Sequence, residues 1–108
     1  MAECRSSNIT SRPTSFPRRY GPARICVSLI EEAEAIDWYE QRLALERDPE
    51  ARAIMENAQQ EEFKHFAMNL EFLARRNEKW RTVLKDVLFK EGDIVEHGEA
   101  AEAELDDG

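Results

Sequence analysis

The sequence predicts an all-α protein: an antiparallel two-helix hairpin followed by a short C-terminal helix. Three observations carry this. Two long segments place apolar residues at alternating intervals of four and three, the seam of a helix packed on other helices. Pro and Gly fall between or outside those segments, at positions 13, 17, 21, 22, 49 and 92 among them. No stretch shows the two-residue alternation of a strand.

Residues 1–24 contain Pro13, Pro17, Gly21 and Pro22, five arginines and a single acid, Glu3. This composition suggests a disordered segment. An Arg- and Ser-rich, acid-poor start is also the composition of a transit peptide, and that alternative stays open.

From about Ala23 to Arg47 the chain is rich in Ala, Leu, Ile and Glu and lacks Gly and Pro, so a first helix is expected. Asp48-Pro49-Glu50 then breaks and restarts it: Asp48 suits an N-cap, Pro49 the first helical position, and Glu50 the positive end of the dipole. A second helix should run from Pro49 to about Arg76 and end near Asn77. Trp80, Val83, Leu84, Val87 and Leu88 give Glu78–Lys90 helical spacing, and Gly92 stops it. Residues 91–108 hold eight acids and three glycines, which reads as a solvated, mobile tail. The domain division is therefore 1–24, a helical domain over 25–92, and an acidic tail over 93–108.

With 15 Lys+Arg against 23 Asp+Glu, the 108-residue chain has net charge −8. That disfavours nucleic acid and anionic membrane surfaces as partners and is compatible with cation handling. No apolar run approaches the roughly 20 residues that span a bilayer. Cys4 and Cys26 form no CxxC pair, so reduced thiols in a cytoplasmic protein are expected. A hairpin of about 65 ordered residues has little core of its own, which argues for an oligomer.

The informative anomaly lies within the seams. On the first helix the stripe is Ile25, Leu29, Glu32, Ile36, Tyr39, Leu43; on the second it is Ala51, Met55, Ala58, Glu62, His65, Asn69, Phe72. Glu32, Glu62 and His65 are ionisable groups where apolar residues belong. A carboxylate buried without a partner costs several kcal/mol, roughly, or gives up its charge. A divalent cation would compensate, and carboxylate oxygens with an imidazole suit iron, manganese or zinc. Di-iron bundles use one Glu from each of two helices and Glu-x-x-His from each of two others. This chain carries half of that inventory, and a two-fold axis would complete it. Plainer readings stand beside this one: Glu31, Glu32 and Glu34 as a solvated face, His65 as a hydrogen-bonded core histidine, and Trp38 and Tyr39 as packing anchors.

The segment IEEAEAIDWYEQR (Ile30–Arg42) resembles the first helix of the encapsulated ferritins, and EEFKHFAMNLEFLARR (Glu61–Arg76) resembles their second. The likeness continues through Lys79-Trp80 and Val87-Leu88-Phe89 and covers roughly residues 27–92. It implies a ferritin-like bundle completed by dimerisation, a ring of five dimers, and a ferroxidase centre holding two Fe ions between subunits, where other divalent metals may substitute. The ligands would fall on Glu32, Glu62 and His65 of each chain. Glu31 and Glu34, with Trp38 beside them, would match the family's metal uptake site, and Tyr39 a residue near the centre. Of the positions matching the iron exit path, Asn57, Glu61 and Lys64, only Glu61 suits a cation. The implied activity is oxidation of Fe(II) by dioxygen and transfer of Fe(III) to an encapsulin shell, with the protein located in the cytoplasm inside that nanocompartment. Members usually end in an apolar-basic shell-docking peptide, which residues 93–108 do not match. Two other classes remain compatible with the residues: a metal-stapled helical oligomer without turnover, and a helical interaction module whose polar seam sets pairing register.

Overall fold

A computed structural model describes residues 21–107. It contains four helices: α1 (Gly21–Leu45), α2 (Pro49–Arg76), α3 (Glu78–Val87) and α4 (Ile94–Asp107), with no strand among the described residues. The chain divides into two compact units, one ending at Leu70 and the other beginning at Glu71.

The first unit is the α1–α2 hairpin. Gly21 and Pro22, expected in the disordered segment, instead lie in the first turn of α1, where the missing proline N–H costs nothing because it would have no intrahelical partner. At the far end the helix stops two residues short of the expected Arg47. Arg52 Nη1 reaches back from α2 and donates to the carbonyls of Leu43 and Glu46, capturing C-terminal acceptors that the ended helix leaves open. Asp48 N-caps α2, its Oδ1 accepting from the backbone N–H of Glu50 at 2.8 Å and of Ala51 at 3.1 Å.

Polar clips fix the antiparallel register. Arg52 bonds at the level of Leu43, Gln59 at that of Ile36 and Glu40, and Asn69 at that of Glu32. Rising numbers on α2 thus meet falling numbers on α1. Gln59 is buried at 9 % exposure, and its amide donates to Ile36 O at 3.1 Å and to Glu40 Oε1 at 2.9 Å. Ala35 and Leu43 supply the buried apolar contacts.

The second unit contains the end of α2, with α3 and α4. Asn77 N-caps α3, accepting from Lys79 N and Trp80 N. The helix ends at Val87 rather than the expected Lys90, because Leu88 is extended and Phe89 turns left-handed at φ 60°. Gly92, at φ 101°, supplies a second left-handed residue, which glycine tolerates.

The expected mobile tail is corrected here: Ile94–Asp107 is helical and packs on α3, with Ala101 fully buried. Asp93 provides the start, accepting the N–H of Glu96 at 2.9 Å. His97, Gly98, Ala101 and Leu105 form the less exposed stripe, so the acids occupy the remaining surface. Counting acids obscured that periodicity. His97 is half-buried and hydrogen-bonds through Nε2 to Glu91 O at 2.7 Å.

Candidate metal centre

Glu62 and His65 lie three residues apart on α2 and so project from one face, about one turn from each other. The antiparallel register brings Glu32 of α1 alongside. Together the three offer two carboxylate oxygens and one imidazole nitrogen that all lie within 4.8 Å of one another. They are the one such group of three among the described residues.

Burial grades across the trio. The Glu62 side chain is 17 % exposed and that of His65 47 %, while Glu32 is half-buried. His65 Nδ1 lies 3.9 Å from Glu62 Oε1, too far for a hydrogen bond. Neither ring nor carboxylate is therefore consumed by the other. Asn69 Nδ2 donates to Glu32 Oε1 at 2.5 Å.

This donor set fits a first-row divalent metal. Ligand atoms at about 2.1 Å from one ion lie at most about 4.2 Å apart, so only a small side-chain rotation separates the observed spacing from coordination. His65, on the exposed edge, has room for it. Three ligands are too few for a two-metal centre, which needs a second set.

The other candidate residues stand apart from this trio. Glu31 and Glu34 are half-buried on α1, but one and two residues from Glu32 along the helix they point elsewhere around its circumference. Trp38 and Tyr39 meet edge to face, their centroids 5.0 Å apart, and the Arg42 guanidinium lies 4.5 Å above the Trp38 ring. Glu61 is exposed and ion-paired with Lys64 at 3.0 Å, which offsets its charge.

Two residues near the site escaped the sequence reading. Asn69 was visible as a polar member of the α2 stripe, but its partner was not. Gln59 lies off that stripe and carried no signal. Cys4 and the rest of residues 1–20 lie outside the described residues, whereas Cys26 is a free thiol.

Residues 18–91 match the family model described as EncFtn-like. The chain is 42 % identical over 92 residues to an encapsulated ferritin-like protein of Rhodospirillum rubrum, covering 83 % of this chain and 66 % of that protein. It is 37 % identical over 90 residues to a ferritin-like protein of Thermotoga maritima, covering 83 % of this chain and 74 % of the other. A crystal structure of a Nitrosomonas europaea protein superposes with a TM-score of 0.70 at 36 % identity, covering 78 % of this chain and 94 % of that one. The α4 helix lies beyond the matched family region. With the family model spanning α1 through α3 and the carboxylate–histidine trio within it, this chain belongs to the EncFtn-like family.

Proposed function

We propose that the protein is a ferroxidase, oxidising Fe(II) to Fe(III) with dioxygen at a di-iron centre shared by two subunits, with Glu32, Glu62 and His65 of each as ligands. The observation that carries this reading is the trio itself: three metal-binding atoms within 4.8 Å, on a hairpin holding half of a di-iron ligand set. The exposed edge at His65 supports a second copy as the other half. At 3.6 residues per turn, Ile54, His65 and Met68 fall on one flank of α2, and both apolar residues are exposed, at 67 % and 60 %. Association would cover them.

Charge supports the same stoichiometry. Two Glu32 and two Glu62 carboxylates from a protomer and its partner balance two divalent cations, leaving a centre that tolerates a dry interface. When bound, each ferrous ion supplies one electron, so the pair reduces dioxygen by two. The chain's own residues hold the ions next to each other, and their anionic oxygens favour the ferric products. Glu31 and Glu34 draw hydrated cations toward α1 by charge, with Trp38, Tyr39 and Glu61 lying near the path rather than on the ions. Iron leaves as Fe(III) for storage in an encapsulin nanocompartment in the cytoplasm. This part of the reading extends the resemblance to the encapsulated ferritins, as does assembly into a ring of five dimers.

Fe(II) is titrated without oxygen while subunit mass is followed, and air is then admitted. Two irons per dimer, with oxidation faster than in buffer, is the expected result. Bound metal without turnover would instead identify a metal-stapled helical oligomer.

A further inference from the structure

Asn69 occupies the α2 stripe between His65 and Phe72, where an apolar residue would pack, and the metal reading leaves it without a task. Its side chain crosses to α1 and meets Glu32 at 2.5 Å, over 37 residues of chain. The orientation of the amide follows from chemistry. An ionised carboxylate only accepts, so the NH2 end must face it.

A hydrogen bond to an ionised acceptor is stronger than one between neutral groups, and partial burial strengthens it further. The last torsion of a glutamate side chain is broad and intrinsically ill-defined. A donor fixed on the neighbouring helix removes that freedom. It turns the Glu32 carboxylate toward α2, on the side where Glu62 and His65 stand.

We infer that Asn69 is a positioning residue for Glu32, holding its carboxylate beside Glu62 and His65 before metal arrives, so that an ion meets a preformed ligand set. The inference rests on the metal reading proposed above. Partners of metal ligands that act in this way typically change metal affinity by about 10- to 100-fold when removed. A hydrogen bond that served only to clip the hairpin would change stability and leave the affinity and geometry of the folded site alone.

The test uses the full chain, titrated without oxygen with Co(II), whose d–d absorption reports coordination number and geometry. Helix content and thermal unfolding are recorded first, without metal. Asn69→Leu removes the donor while keeping the branched shape, and Asn69→Ala does so without crowding. Glu32→Ala removes the ligand itself. The expected result is intact helix content in both Asn69 variants, unchanged Co(II) stoichiometry, affinity about 10- to 100-fold weaker, and an altered d–d spectrum. Wild-type affinity and spectrum in both variants, with binding lost in Glu32→Ala, would overturn the role of Asn69 and leave the metal site standing. Wild-type binding by Glu32→Ala would overturn the metal reading and this inference together. Loss of helix content in both Asn69 variants before metal is added would make Asn69 a folding residue, and overturns the positioning role as well.

Discussion

Single side chains of the hairpin divide into those that would bind metal and those that hold the helices in register. Glu32 and His65 belong to the first group. Each Ala substitution removes one ligand from each copy, and Fe(II) oxidation should fall to the rate of buffer alone in Glu32→Ala and in His65→Ala, measured as the ferric absorbance rise after mixing with air-saturated buffer. Full activity in both would refute the ligand assignment. Gln59 belongs to the second group, since its amide joins Ile36 O and Glu40 Oε1 across the helix pair. Gln59→Met keeps the volume and removes both hydrogen bonds, so the hairpin should lose about 1–3 kcal/mol, read as a lower urea midpoint. The proposed ligands stood out in the sequence because charge in an apolar stripe is conspicuous. Gln59 was not, because a buried amide is identified only by what it touches.

At the scale of elements, the start of α2 at Asp48 and its end at Arg76 were legible, whereas Asn77 was read as that end and not as the cap of α3. Asp48 and Asn77 stand just before the helices they cap, and their side chains accept from the first-turn N–H groups as that position requires. The ends of α1 and α3 were less legible: Arg52 takes up open carbonyls of α1 from the next helix, and Phe89 closes α3 by adopting φ 60°. The α4 helix shows a further dependence. Glu104 lies against Asp86 of α3, and the hydrogen bond between the two carboxyls, then the Asp86 charge, raise the Glu104 pKa above its usual value, while Lys85 and Lys90 pull it down. A raised carboxyl pKa means that the folded state binds the proton more tightly than the unfolded state. The contribution is full below the ordinary carboxylate pKa and is lost as pH rises through the raised value. Amide exchange in residues 94–107 should therefore be slower, after correction for intrinsic rates, at mildly acidic pH than at neutral pH. Glu104→Gln should remove that difference, and a pH dependence that survives the substitution would refute the carboxyl pair as its source.

For the whole molecule, the proposed site couples metal to assembly. Ligands drawn from two copies are complete only in the associated state, so metal that binds there stabilises it by mass action, by about 2.7 kcal/mol when free metal is 100 times Kd. Adding Fe(II) without oxygen should raise the subunit mass seen in solution, and a chelator should lower it again. An assembly indifferent to both would point to apolar surfaces such as Ile54 and Met68 as sufficient for association.

What the sequence by itself determined is everything that depends on neighbours within a few turns. A 3.6-residue period, a cap or a proline acts locally, so the two long helices, the turn at Asp48 and the shared face of Glu62 and His65 could be read directly. Tertiary structure alone decided the register that sets Glu32 against Asn69, the burial of Gln59, and the docking of α4 on α3. Those pairings join residues far apart in the chain, and they are selected by how two finished surfaces fit, which no local pattern encodes.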